Sequence, residues 1–595
     1  MTFTIEHFAY FAVAWLVLQR LHVYRAIRRF EGVLLFSFLL YRAFYAQSED
    51  QSILLYIQQL IEIVLKKISI TCPCTALFFQ DLAGLVLLQQ FISFSYHVTN
   101  WNFHGLSKFV TDYGFNLVKD LPFVKGTLEH EQEKLEKSFD KDLKIKSRAI
   151  GTALTALPDK GIPHDEILQL IDKTVKKENV VWEKGHLSGA VYGGQKDHIA
   201  FLNQCYSYYS IANPLHPDIW PSVMKFEAEI VAMTASLVNN GLETVCGCTS
   251  SGGTESIILA IKAHRDYYRS VYNVTEPEMI AGVSAHAAVD KACDMLGIKL
   301  IKVDLDSKTF RVNLQSVRKA IGPNTIMMYA SAPQYPHGAI DNVKEMSKLA
   351  VKYKIGLHVD CCLGGFVLPF AKKLGFKIPD FDFSLPGVTS MSLDTHKYGY
   401  ALKGTSVVLY RHRELRHAQY FCYADWTGGM YTTPTISGSR SGGLIAQTWA
   451  SLVSIGTEGF LNYTKQIMDT ARLIADGISK IDGIKLVGEV DAMVVCFTTE
   501  PSSGLNIYSV GDKMHAKGWS LNSLQHPACI HICVTVAHIG HHEEFIQDLE
   551  VSVHDVRKNP DNKTGNAAIY GMTSALPPGP VNEMLKVYND VVLKL

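Results

Sequence analysis

The sequence predicts an α/β protein: a large, mostly parallel sheet, a small α+β domain after it and a hydrophobic anchor region before it. Three observations predict this. From about residue 245, short apolar runs rich in β-branched residues alternate with helical stretches, the pattern of a parallel sheet covered by helices on both faces. Past about 435 the chain turns helical, then mixed. The apolar residues, 47% of the 595, crowd toward the N-terminal end. A chain of this length needs more than one core.

Residues 1–126 read as the anchor region. Apolar stretches fall at 8–19, 33–41, 53–65 and 75–96. A bilayer span takes about 20 mostly apolar residues, and 75–96 fits best, with Asp81 its only charge. Arg20, Arg25, Arg28 and Arg29 follow the first stretch, and Lys108, Lys119 and Lys125 follow the fourth. That bias favours a cytosolic remainder, with Lys66 and Lys67 opposing it. No basic segment precedes the first stretch, which speaks against a cleaved signal peptide. The alternative is a set of interfacial helices with no span.

Residues 127–240 read as a linker and helical segment. The charged run 127–148 is a solvated helix or linker, and "IPHDEILQLIDKTVKKE" has helical spacing. Residues 241–435 read as the large domain. Its strands are expected at 279–284, 299–304, 325–331 and 355–360, with helices at 288–297, 312–321 and 341–353. Two further buried runs, one ending at Leu393 and one beginning near Thr405, flank Lys397. Residues 436–595 read as connecting helices and the small C-terminal domain.

Lys plus Arg and Asp plus Glu both number 57. Zero net charge gives no support for nucleic-acid binding. The cysteines of "CPC" (72–74), "CGC" (246–248) and "CC" (361–362) stand too close for ordinary zinc pairs, so no metal site is expected. Twelve scattered cysteines suit a reducing compartment.

Four pieces of sequence point to pyridoxal phosphate. "CTSSGGTESIILAIKAHRD" (248–266) sets small residues and glycines before a helix expected from about Glu255. Glycine admits an anion close to the backbone, and a helix N-terminus offers free N–H groups. The lysine of a P-loop is missing. The alternative here is a capped helix after a turn. "LHVDCCLGGF" (357–366) ends a strand at Asp360, where an open parallel sheet collects ligands; a carboxylate there would hold a protonated ring nitrogen, or serve as a structural cap. Lys397, in "DTHKYGY", is a lysine between buried runs, costly without a partner or a covalent task. Cup, acid and lysine are what this cofactor requires. His286, in "VSAHAAVDKA", begins a helix after a strand and would stack on the ring.

"SGGTES", "AHAA", "HVDCCLGGF" and "DTHKYGYALKG" resemble the pyridoxal-phosphate-dependent fold-type I enzymes of the group II decarboxylase class. "NPLHPDIWPSVMKFEAEIV" (213–231), "PQYPHGAID" (333–341), "GSRSGG" (438–443) and "KGWSLNSLQHP" narrow the resemblance to the sphingosine-1-phosphate lyase family. It runs from about Gly189 to Gly571. The resemblance implies that Lys397 bonds the cofactor, Asp360 pairs with its ring nitrogen, His286 stacks on the ring, and Gly253 and Thr254 bind its phosphate near His396. It implies substrate-site roles for His216, Tyr192, Tyr335 and Lys403, and places Arg440 near the site, from its own or a partner subunit. It implies a homodimer with shared active sites, anchored in the endoplasmic reticulum membrane with the catalytic part in the cytosol. The expected reaction is cleavage of phosphorylated sphingoid bases to a fatty aldehyde and phosphoethanolamine. An amino-acid decarboxylase of the same fold and a catalytically silent membrane scaffold are the rivals. Two departures from the family pattern stand out: Cys361 where alanine is common, and Leu402 where proline is common, which puts the aim of Lys403 in question.

Overall fold

The computed structural model describes residues 154–176, 181–559 and 578–593, with a few helical positions between 126 and 137. The apolar stretches from 8 to 96 lie outside these residues. Among the described residues no helix is long and apolar enough to cross a membrane.

Three helices come first: α1 (His164–Val175), α2 (Lys196–Tyr208) and α3 (Pro221–Val238). Strands and helices then alternate: β1 (Cys246–Ser250), α4 (Gly253–Tyr272), β2 (Glu278–Gly282), α5 (Ala288–Leu296), β3 (Lys299–Val303), α6 (Leu314–Ala320), β4 (Thr325–Ser331), α7 (Val343–Tyr353), β5 (Gly356–Asp360), α8 (Leu368–Lys373), β6 (Ser390–Leu393), β7 (Ser406–Tyr410) and α9 (Arg413–Gln419). A hairpin, β8 (Phe421–Tyr423) and β9 (Tyr431–Thr433), leads to α10 (Gly442–Ile478), which is broken at Gly456 (φ 59, ψ 178). The remainder is β10 (Ile484–Leu486), β11 (Val494–Thr499), α11 (Ile507–Ala516), β12 (Asn522–Leu524), β13 (Cys529–Cys533) and α12 (His542–Lys558). The helix Pro578–Leu593 belongs to a separate unit of the chain.

The large sheet has the order β1-β7-β6-β5-β4-β2-β3. Every residue of β4, β5, β6 and β7 is buried, as strands with helices on both faces must be. β3, at the edge, is half-open and begins with Lys299, paired with Glu278 at 2.8 Å; a charge there blunts the free edge. The four expected strands lie within a residue or two of their predicted places. β7 alone runs against its neighbours. The reason is its connection: the segment 394–405 contains no crossover helix, and a parallel return requires one. The second sheet, β10-β11-β13-β12, is wholly antiparallel. The hairpin β8–β9 was not legible in the sequence.

Arg311 links this second sheet to the loop after β4. Its guanidinium contacts both carboxylate oxygens of Asp491 at 2.9 Å, and Asp491 also accepts from Ile340 N at 2.8 Å. Asp341 is buried and accepts from Ser331 N, Val312 N and Gln334 Nε2. The loop carrying Tyr335 is thereby fixed at both ends.

Candidate active site

The strand ends that position the site are aligned. Ser331, Asp360 and Ser392 stand in register at the C-terminal ends of β4, β5 and β6. Ser250, ending β1, pairs with Ser406, beginning β7. The hydroxyls of Ser250, Ser256 and Ser406 form a buried chain at 2.7 and 2.9 Å. This chain fastens the start of α4 to the sheet.

Lys397 lies on the turn between β6 and β7. The turn is closed by Lys397 N to Asp394 O (3.2 Å), Tyr400 N to Lys397 O (3.0 Å) and Ala401 N to Thr395 O (3.0 Å). Buried Tyr398 donates to Val534 O at 2.6 Å and ties the turn to the end of β13. Lys397 Nζ lies 2.9 Å from Asp394 Oδ2. Burial opposes the lysine's charge, but Asp394, with Cys362 and Tyr192 beyond it, outweighs burial and holds its pKa above the ordinary lysine range. Asp394 is 2% exposed, and its Oδ1 has no hydrogen-bond partner among the described residues. Sequence reading passed over Asp394. Its place three residues before Lys397 in a tight turn was the available signal.

The cup forms as expected, with its helix starting at Gly253 rather than Glu255. Glu255 reaches out of the helix: its two oxygens accept from Ser251 N (2.7 Å), just ahead of it, and from Ile436 N (3.2 Å). A methyl group on Gly253 would lie 2.7 and 2.9 Å from the Asp394 oxygens and 2.8 Å from Cys362 Sγ. No side chain fits there, so the α4 N-terminus stays open to a ligand. Thr254 is exposed on that first turn. His396 borders the cup: its Nδ1 accepts from Thr405 N (3.2 Å) and its Nε2 lies 3.7 Å from Asp394 Oδ2. Burial lowers its pKa, against the pull of Asp394.

Asp360 ends β5 fully enclosed. Its Oδ1 accepts from Cys362 N (2.9 Å) and Ser392 Oγ (3.4 Å), and its Oδ2 from the hydroxyl of Tyr329. Burial alone would raise its pKa; the hydrogen bonds from Cys362 and Tyr329 and the charge of His286 more than offset it, so the carboxyl is held below its usual range. His286 is exposed, its Nδ1 accepting from Ala288 N at 3.0 Å. Tyr192 is buried edge-on to Tyr398, ring centroids 4.8 Å apart, and the Lys403 ammonium stands 4.8 Å over its ring. Lys403 is exposed at its surface; partial desolvation of its ammonium, with Lys397 nearby, lowers its pKa to about 8. The Leu402 departure has a structural answer: its N–H, which proline lacks, donates to buried Gln447 Oε1 at 2.9 Å.

Tyr335 is on the same side, its ring 4.9 Å from His531 and its hydroxyl 3.0 Å from Asn522 Nδ2. His216 is exposed beside Trp220. Among the described residues no hydrogen bond, ion pair or ring contact joins His216 to the Lys397 group. Arg440 turns inward instead: it grips Glu227 at 2.6 and 2.9 Å, and Glu227 also accepts from Thr249. In its own chain Arg440 braces β1 below the cup and does not touch the Lys397 group. Elsewhere, His186, His541 and Glu544 converge with metal-capable atoms within 4.8 Å of one another. Hydrogen bonds from the two imidazoles to the two Glu544 oxygens, at 3.2 and 3.0 Å, account for that cluster.

A half-buried lysine, an ionised carboxylate at a strand end, an exposed imidazole beside it and a glycine-lined helix N-terminus make a donor set that fits pyridoxal phosphate. The pyridoxal-dependent decarboxylase conserved domain matches residues 150–500. The sphingosine-1-phosphate lyase of Dictyostelium discoideum is 45% identical over 465 residues, 78% of this chain and 86% of that protein. The structure of Burkholderia pseudomallei sphingosine-1-phosphate lyase covers 72% of this chain and 98% of its own, with TM-score 0.67 and 40% identity. Lactobacillus brevis glutamate decarboxylase, 19% identical with TM-score 0.60 and covering 68% of this chain and 96% of its own, shares the fold.

Proposed function

The chain belongs to the pyridoxal-dependent decarboxylase family, among its sphingosine-1-phosphate lyases, and we propose that it cleaves sphingosine 1-phosphate and related phosphorylated long-chain bases to a fatty aldehyde and phosphoethanolamine. Its cofactor is pyridoxal phosphate. The observation that carries the reading is Lys397, half-buried and clamped by Asp394 between the glycine cup and Asp360.

When bound, the cofactor supplies an aldehyde for the substrate's amine and a ring that draws electrons from the breaking carbon–carbon bond. Lys397 Nζ would bond it, Asp360 would hold the ring nitrogen's proton through an anionic carboxylate, Gly253 and Thr254 would offer N–H groups to the phosphate, and His286 would lie over the ring. Lys403 is the strongest candidate to take the substrate hydroxyl's proton, because a pKa of about 8 leaves part of it neutral near physiological pH. Its cationic form would also attract the substrate's phosphate.

A homodimer with shared sites is supported by what one chain leaves uncovered. Every residue of α1 escapes burial, including Ile167, Leu168, Leu170 and Ile171, and the β8–β9 hairpin exposes Phe421, Tyr423 and Trp426. His216 and His286 are open as well. The apolar stretches before residue 126 support a membrane anchor; the family resemblance implies the endoplasmic reticulum membrane, with the catalytic part in the cytosol. Such an anchor places the site where a lipid substrate partitions.

Product analysis tests the activity. Wild-type protein given pyridoxal phosphate and sphingosine 1-phosphate is expected to release fatty aldehyde, detected by mass spectrometry, and Lys397→Ala to release none. Carbon dioxide from amino acids, with no aldehyde, would instead identify a decarboxylase.

A further inference from the structure

We propose that Tyr329 is a positioning residue for Asp360, donating a hydrogen bond that keeps the carboxylate ionised and aimed at the cofactor's ring nitrogen. The inference rests on the pyridoxal phosphate reading of this site and assigns a role to a residue no sequence motif singles out.

Tyr329 sits near the end of β4, 1% exposed, beside the strand that ends in Asp360. A buried phenol needs a partner, and the hydroxyl of Tyr329 donates to Asp360 Oδ2. Cys362 N and Ser392 Oγ hold the other oxygen. The carboxylate is therefore fixed at both oxygens, by β4 on one side and by β6 and the turn after β5 on the other. The ring of Tyr329 is itself held, stacked on His358 with centroids 5.6 Å apart. His358 is locked between Ser390 Oγ and Ser392 Oγ at 2.8 and 3.2 Å.

A proton shared between Asp360 and the ring nitrogen has two positions. Between a carboxylate and a pyridine nitrogen, the proton sits on nitrogen when the carboxylate is the weaker base. A donor to Oδ2 weakens that base, so it favours the ionised pair and the protonated ring. The groups facing Asp360 are Tyr329 from β4, His358 from β5 itself, Cys361, Cys362 and Ser392, and His286 across the cleft. Burial holds His358 to a pKa of about 3 and both thiols well above theirs. These three stay neutral through the physiological range, leaving His286 as the facing group that can add charge. Binding that needs anionic Asp360 is present above its pKa and lost as pH falls through it. Removing the Tyr329 donor raises that pKa, so the loss comes at higher pH.

The test is the pH dependence of pyridoxal phosphate affinity, read by visible absorbance on cofactor-depleted full-length protein, for wild type, Tyr329→Phe, Asp360→Asn and the double variant. Phenylalanine keeps the ring and its stack on His358. The acid limb of affinity should move up by about one pH unit in Tyr329→Phe, the size of one hydrogen bond to a charged group. In Asp360→Asn that limb should vanish, which separates Asp360 from His286, and adding Tyr329→Phe should change nothing further. With substrate, Tyr329→Phe should lower kcat about tenfold with KM nearly unchanged. Replacing Tyr329 by 3-fluorotyrosine, a stronger donor in a native-like side chain, should move the limb down and covers the case of a Phe variant that does not fold. A limb that stays put in both substitutions, or an equal loss of affinity with Asp360 and with Asn, would overturn the role. A wild type that binds no pyridoxal phosphate at any pH would overturn the cofactor reading and this inference together.

Discussion

Lys397 and Lys403 lie six positions apart on one turn, yet their surroundings push their pKa values in opposite directions. Asp394 touches the first and raises it; partial desolvation beside that first cation lowers the second to about 8. Two lysines at one site thus take two tasks, one holding its charge and one giving it up near neutrality. The sign follows. If neutral Lys403 is the base, kcat/KM rises as pH increases through about 8. Lys403→Met should lose that limb and about 100-fold or more in rate, measured as a pH–rate profile from pH 6 to 9.5. Asp394→Asn should drop the Lys397 pKa, since the largest influence opposing burial is then gone. Amine-reactive labelling of Lys397 in cofactor-depleted protein should begin at lower pH than in wild type. Lys397 and Asp360 were legible because a lysine or aspartate at the end of an apolar run is costly without a task; Lys403 was singled out by the family resemblance alone. Asp394 and Tyr329 were not. An aspartate in a turn looks like an ordinary turn residue, and a tyrosine in a strand looks like core; only the fold brings each to its partner.

Among the elements, the cup and the Lys397 turn carry the chemistry, and both depend on close packing. Gly253→Ala would drive its methyl against both Asp394 oxygens and Cys362 Sγ. The neighbours are buried and cannot retreat. Cofactor affinity should fall by about tenfold or more, the scale of a small packing shift at a binding site, while α4 remains; absorbance titration and circular dichroism check the two halves. The Leu402–Gln447 contact is a second element-scale device. Gln447→Ala strands a backbone N–H beside the Lys403 turn, at a cost of about 1–3 kcal/mol, measurable by chemical denaturation. Leu402→Pro together with Gln447→Leu removes donor and acceptor at once and should recover much of that loss. The central strands were readable because full burial on both faces leaves continuous apolar runs. The β8–β9 hairpin was not, because its strands have three residues each and no face to bury, so no period marks them. The direction of β7 was unmarked for a different reason: periodicity reports burial, and burial is the same for either polarity.

For the whole molecule, the uncovered faces of α1 and of the hairpin set the next expectation. If partner subunits complete each other's sites, mixing two inactive proteins, Lys397→Ala and His216→Ala, should restore activity. Random exchange of a two-fold dimer returns about a quarter of the wild-type rate. Activity that stays at background in verified mixed dimers would mean that each chain carries its own complete site. The sequence alone determined the class of the fold, the order of cup, acid and lysine, and through them the cofactor and family. These follow from local chemistry: apolar runs, glycines before a helix, and charged residues placed where burial would penalise them. The tertiary structure decided which groups share a charge. It set Asp394 against Lys397, Tyr329 against Asp360 and Arg440 against Glu227, because the energy of a buried charge depends on distances between segments far apart in the chain, and spacing along the sequence does not carry them.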